Sequence, residues 1–302
     1  MGKKVLFITI LKCIFISVFT FGLYLFFVEL RKGLVTFFDI PAFAFSASVG
    51  CFLLFVEILL GVVIFKKLKV GCIAISVWLG ISVIEIPIRV LYFSTTLVSF
   101  PNYLFWCFGI LMGYLYAMSK KIWQRVSIII VLIYMVLFVI FKGYDLWLNK
   151  ISYDSFTGKV NLALESPLVF MKPTGEEIKS DELCDNFLVL DFWSTRCGYC
   201  YRTFPLLDEI YNKYANDTRI NIIAVHCWNM DENENFTTGN NTLTNYLYAF
   251  PVLGVEMNSL QLERIGVTHY PTVVIVNHEN KIVFRGSLEY ARKYIEKLLG
   301  QS

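Results

Sequence analysis

Up to Lys142 the chain contains five apolar runs: about Ile8 to Val28, Ala42 to Phe65, Val70 to Ile86, Val98 to Met118 and Val126 to Phe141. Each comes close to the roughly 20 residues that a bilayer-spanning helix needs. A helix closes its backbone hydrogen bonds within itself, so runs of this kind read as membrane helices. The third is the weakest, because it ends in Glu85, Pro87 and Arg89. The first has Lys3 and Lys4 ahead of it, as a signal peptide would. It lacks a small-residue cleavage site and further spans follow it, so it reads as a retained anchor. The expectation is an all-α transmembrane helical bundle of about five spans over residues 1–142.

Charge divides the chain at the same place. Up to Lys142 there are thirteen Lys and Arg against four Asp and Glu; from Gly143 onward there are fourteen against twenty. The overall charge of +3 therefore conceals a basic apolar half and an acidic polar half. Basic residues that flank apolar helices mark topology and not a nucleic-acid partner. With a cytoplasmic N-terminus, Lys3, Lys4, Lys12, Lys66, Lys67, Lys69, Lys120, Lys121 and Arg125 fall inside, and only Arg31, Lys32, Arg89 and Lys142 fall outside. Five spans from that start deliver the second half to the other side. The expected location is a bacterial inner (cell) membrane, with the bilayer as partner and the soluble domain facing the periplasm or exterior, where disulfide chemistry is at home.

Glu57 lies deep in the second run. An intramembrane carboxylate is costly and marks a candidate functional residue; the alternative is a protonated Glu hydrogen-bonded to a neighbouring helix. Val56-Glu57-Ile58-Leu59-Leu60-Gly61 resembles the corresponding helix of DoxX/MauE-type membrane proteins, small bundles associated with thiol redox or protein maturation. Cys13, Cys51, Cys72 and Cys107 are unpaired in spacing and read as packing residues.

Residues 143–160 read as a polar linker dotted with aromatics, and 161–302 as an α/β domain. Runs at Leu168 to Met171, Asn186 to Trp193, Ile220 to Val225, Thr272 to Val276 and Lys281 to Phe284 predict strands. Phe204, Leu207, Ile210, Tyr211 and Tyr214 predict an amphipathic helix over 201–214, and a closing helix follows over 288–299. Asp231 to Thr244 is polar and Asn-rich, an exposed loop in expectation; its Asn-Phe-Thr and Asn-Asn-Thr sequons matter only in a glycosylating pathway. Cys184 and Cys227 read as bystander thiols.

One strand runs into Cys197-Gly198-Tyr199-Cys200 and then into a helix. Asp191-Phe192-Trp193-Ser194-Thr195-Arg196-Cys197-Gly198-Tyr199-Cys200 resembles the thioredoxin signature. Pro205 falls where thioredoxins carry a kinking proline, and Gly266-Val267-Thr268-His269-Tyr270-Pro271-Thr272 resembles their cis-proline loop. Within that superfamily the TlpA/ResA-like branch is the best match, over roughly Glu165 to Leu299. No second Cys/His pair stands at a ligand spacing, so no metal and no cofactor are expected.

The resemblance implies a thiol–disulfide oxidoreductase. A thiol at a helix N-terminus is favoured as thiolate, and Arg196 adds positive charge, so Cys197 is expected to attack and Cys200 to resolve. Asp191 matches the buried acid of thioredoxins and is expected to exchange a proton with Cys200. Tyr270 and Pro271, with Trp193 and Arg196, are the expected substrate-binding residues; His269 is a candidate accessory base or a solvated loop residue. The expected partners are extracytoplasmic thiol or disulfide proteins and a membrane electron donor or acceptor. The TlpA/ResA likeness favours a reductase. The Gly-Tyr dipeptide is that of DsbC-type isomerases, which leaves an isomerase or oxidant open, as does a redox-inert module serving the membrane domain.

Overall fold

The computed structural model describes residues 3–32, 41–183, 186–229, 234–235, 237–243 and 246–300. Cys184 and most of the 231–236 stretch of the expected loop lie outside them. The chain divides into two compact units, Met1–Leu148 and Asn149–Ser302.

The first unit is helical: α1 (Lys3–Arg31), α2 (Ala42–Ile64), α3 (Val70–Leu91), the one-turn α4 (Phe93–Thr96), α5 (Phe100–Met118) and α6 (Ile122–Phe138), followed by a π-helical stretch over Val139–Gly143. Five helices among the described residues are long and apolar enough to cross a membrane. Their outward apolar side chains, such as Phe15, Val63 and Ile130, are exposed, as lipid-facing residues are. The closest packing is between α2 and α5. Gly109 lies so near the Cys51 carbonyl, and Gly50 so near the Trp106 ring, that a Cβ at either would overlap its neighbour. Small residues at such contacts let helix backbones approach where lipid supplies no hydrophobic drive. The Trp106 indole N–H donates to the Ser46 carbonyl at 3.2 Å across the same interface.

The third span runs past its expected end to Leu91, with Pro87 inside it. The physical reason is pairing. The Glu85 carboxylate binds Arg31 of α1, and Arg89 one turn further on at 2.6 Å. A buried carboxylate held by two guanidiniums costs far less than a bare one. Glu57 is also buried, and one of its oxygens accepts the Thr20 hydroxyl at 2.6 Å.

The expected linker is helical over much of its length: α7 spans Tyr144–Tyr153, and Lys159 already opens a strand. The aromatics that dotted the segment are the cause. The Tyr144 hydroxyl engages Asn102 at 2.6 Å, and the Trp147 indole donates to the Leu97 carbonyl at 3.0 Å.

The second unit is an eight-stranded mixed sheet in the order β1-β8-β7-β4-β5-β6-β2-β3. The strands are β1 (Lys159–Ala163), β2 (Val169–Met171), β3 (Glu177–Lys179), β4 (Phe187–Trp193), β5 (Ile220–Trp228), β6 (Val252–Glu256), β7 (Thr272–Asn277) and β8 (Lys281–Gly286). Its helices are α8 (Gly198–Tyr214), α9 (Thr238–Leu243), α10 (Leu260–Arg264) and α11 (Leu288–Leu298). β4 pairs in parallel with β5 and antiparallel with β7, and β5 pairs in parallel with β6. One core packs Val189, Ile222 and Ile275 under α8 and α11; the other packs Leu190, Ile223 and Val274 on the opposite face. β1, β3 and β6 were not expected. β1 and β3 are short and exposed, and β6 carries Gly254 in a five-residue run, so none shows a clear alternating pattern.

Replacing Gly109 with Val puts a branched side chain against the Cys51 carbonyl and is expected to cost about 1–3 kcal/mol, the usual penalty of overpacking. Thermal unfolding of the detergent-solubilised chain, compared with Gly22→Val at an open position, checks it.

Candidate functional site

β4 is hydrogen-bonded along both edges and its last six residues are buried. The chain leaves it at Trp193, turns through 194–196 and enters α8, with Cys197 as the N-cap. The Cys197 sulfur accepts the Cys200 amide at 3.1 Å. Cys197 is half-buried and Cys200 has no exposed surface; the two form a disulfide with their Cα atoms 5.3 Å apart. One sulfur is thus reachable from solvent at a helix N-terminus, where the backbone dipoles favour negative charge, and the other is shielded beneath it. Pro205 lies within α8, and the Tyr270–Pro271 peptide is cis.

Asp191 sits mid-sheet, opposite Ala224 of β5 and Val273 of β7. It has no exposed surface, and neither carboxylate oxygen has a hydrogen-bond partner among the described residues. Burial, with the charge of Glu289 in addition, pushes its carboxyl up to about 8. It can therefore hold or release a proton near neutrality, which a surface aspartate cannot.

Two expected contact residues lie differently. Trp193 has no exposed surface, so it cannot touch a substrate; it supports the loop from below, edge-on to Phe204 at 5.1 Å and beside His226 at 4.9 Å. Tyr270 is half-buried, its ring packed against the core, where its hydroxyl meets the Cys227 thiol. A large apolar ring gains more from that burial than from water. The Cys227 thiol is itself pushed up to about 12 by burial and is inert as a nucleophile. Arg196 is exposed in the redox loop. Burial and then Arg285 hold His269 below the ordinary histidine range, so it is neutral at pH 7. Glu57 belongs to the first unit.

Sequence reasoning passed over His226, Glu234 and Tyr153. His226 is fully buried on β5, where desolvation lowers it to about 4, with its Nε2 4.0 Å from Glu234. Glu234 accepts from the Thr195 hydroxyl of the redox loop and from the Asn229 amide at 3.0 Å. A histidine inside a run of Val, Cys and Trp was the available signal. Among the described residues no group of three or more His, Cys, Asp or Glu is clustered as metal ligands would be.

A central parallel pair, a Cys-x-x-Cys at the start of the following helix and a proline loop after it define a thioredoxin-like redox domain. Residues 185–282 match the family model described as Thioredoxin-like. The chain is 26% identical over 164 residues to the thiol-disulfide oxidoreductase ResA of Halalkalibacterium halodurans, covering 54% of this chain and 85% of that one. Against the Bacillus subtilis ResA it is 25% identical over 165 residues, covering 55% and 84%. Among solved structures it resembles the exposed lipoprotein thioredoxin of Streptococcus pneumoniae, at 22% identity and TM-score 0.38 over 45% of this chain and 100% of the other. It also resembles a thiol-disulfide oxidoreductase of Bacteroides fragilis, at 14% identity and TM-score 0.39, over 44% and 97%. Residues 185–282 thus carry a thioredoxin-like domain, and the chain is a thiol–disulfide oxidoreductase with homologues of the ResA type.

The raised Asp191 makes a pH prediction. Its carboxyl ionises near 3.8 in the unfolded chain and near 8 in the fold. Its contribution to stability is therefore complete below about pH 4 and is lost as pH rises through about 8. Asp191→Asn, which does not titrate, should gain on the wild type progressively from pH 5 to pH 8.5 in chemical denaturation. Parallel pH profiles for the two proteins would contradict the assignment.

Proposed function

We propose that this chain is a membrane-anchored oxidoreductase that reduces disulfides of extracytoplasmic proteins through Cys197 and Cys200. The observation that carries the reading is the pairing of a half-buried Cys197 at the start of α8 with a fully buried Cys200. The Cys197 thiolate attacks one sulfur of the partner disulfide; that S–S bond breaks and a mixed disulfide forms. Cys200 then loses its proton to Asp191, whose carboxyl exchanges protons around pH 8, and attacks Cys197. The partner's two thiolates take up the Cys200 proton from Asp191 and one proton from solvent and leave as a dithiol, and Cys197–Cys200 is left oxidised. A membrane electron donor must return two electrons and two protons for the next cycle. The reducing direction follows from the TlpA/ResA resemblance of the sequence.

Asp191 is the proton acceptor in this scheme because its raised carboxyl is matched to a thiol. Arg196, the backbone of Tyr270 and the ring of Pro271 meet the substrate. The five apolar helices support anchoring in the cell membrane, and the positive charges beside them favour a periplasmic or outer side for the domain. Glu57 is the candidate proton-handling group of the bundle. The proposed domain limits are 1–142 for the bundle, 143–160 for the linker and 161–302 for the redox domain.

Alkaline phosphatase fused after Lys150 is expected to be active in cells; a silent phosphatase there would mean the span count is wrong. Cys200→Ser should accumulate mixed disulfides with partner proteins, visible on non-reducing gels, and Cys197→Ser should accumulate none. Equal trapping by both variants would sink the assignment of roles.

A further inference from the structure

The proline loop is held from outside the sheet by a residue that neither the Cys-x-x-Cys pattern nor the loop sequence points to. Tyr153, on the last turn of α7, is buried, and its hydroxyl donates to the Pro271 carbonyl at 3.2 Å. Its ring lies against the His269 ring with centroids 5.0 Å apart. Tyr153 is in turn fixed through its own carbonyl, which accepts Nη2 of Arg285 at 3.1 Å. The other end of the same guanidinium donates to the Ile265 carbonyl at 3.1 Å, just before the loop begins. Gly266, at φ +70°, leaves the room this requires, since a Cβ there would overlap Nη1 of Arg285. Inside the loop the Thr272 hydroxyl closes back on the His269 carbonyl at 2.7 Å.

These contacts leave one residue unused. Proline has no N–H, so the carbonyl is the whole backbone hydrogen-bonding capacity of Pro271, and Tyr153 takes it. Thr272 enters the sheet opposite Phe192. The backbone N–H and C=O of Tyr270 form no hydrogen bond among the described residues, while its ring is anchored inward at Cys227. An extended peptide can pair with such a backbone as it would with a sheet edge.

We propose that Tyr153 is a positioning residue for thiol–disulfide exchange: it holds the Pro271 backbone so that Tyr270 presents its amide and carbonyl to the peptide backbone flanking a substrate cysteine. The inference rests on the exchange reading above and adds a specificity for peptide disulfides over disulfides with no backbone. It also makes the end of α7, outside the region matched by the family model, part of the working site.

The test uses the full chain in lipid nanodiscs with dithiothreitol as reductant and two probes: a fluorescence-quenched peptide disulfide and 2-hydroxyethyl disulfide, which has no backbone. Tyr153→Phe keeps the ring and removes only the hydroxyl. It is expected to raise KM for the peptide roughly three- to tenfold, the scale of one hydrogen bond, with kcat within about twofold. Its rate with 2-hydroxyethyl disulfide should match the wild type. An unchanged peptide KM, beside normal wild-type turnover, overturns the proposal; so does an equal loss on both probes, which would mark general damage to the dithiol. Absence of wild-type turnover with either probe removes the exchange reading itself, and this proposal with it.

Discussion

The redox domain depends on one strand, β4, being buried on both faces and hydrogen-bonded along both edges. Because its neighbours β5 and β7 hold it over almost its full length, the direction in which the chain leaves Trp193 is fixed. That exit sets where α8 begins, and hence which of the two cysteines lies at the helix terminus and which lies beneath it. The same burial removes Asp191 from water without giving it a partner, so the strand that builds the core also tunes the acid. A buried unpaired carboxyl normally costs several kcal/mol when ionised, and the carboxyl avoids that cost by staying protonated up to about pH 8. The sheet around it supplies the stability that tolerates such a group.

Beside this floor two histidines are held neutral by burial. His226 is neutral at pH 7 because burial disfavours its cation, and it presents a flat ring to Trp193. Glu234, 4.0 Å from its Nε2, spends its oxygens on Thr195 and Asn229, tying the redox loop to the segment after β5. His269 is likewise neutral and serves as a packing surface for Tyr153. Arg196, next to Cys197 in the chain, is exposed and carries positive charge into the redox loop.

The helical unit solves a different problem. With no water to satisfy polar groups, each buried one must find a partner or remain neutral. Glu85 finds two guanidiniums, Glu57 a threonine hydroxyl, and the Trp106 indole a backbone carbonyl. Arg31 also lies over the Trp106 ring, 4.7 Å from its centroid, so the ion pair and the aromatic packing reinforce each other. Glycines at Gly50 and Gly109 then allow α2 and α5 to close.

Much of this was legible in the sequence for a local reason. Apolar runs of membrane length, a buried β run ahead of Cys197, and the period of Phe204, Leu207 and Ile210 are near-neighbour patterns, and near-neighbour patterns survive without a fold. The same holds for the cysteine pair and for Pro271. What the sequence could not carry was anything that depends on residues far apart meeting. Glu85 looked like the end of a span until Arg31, 54 positions earlier, neutralised it. Tyr270 was expected as a substrate contact, yet its ring packs partly buried against the core, and Trp193 has no exposed surface at all. Tyr153 carried no signal at all, since its role comes from a carbonyl 118 residues away. Sequence determined the two classes of unit and the chemistry of the dithiol; tertiary structure decided which polar groups are paired, which are buried alone, and which side chain holds the loop, because burial and long-range hydrogen bonds exist only once the chain has closed on itself.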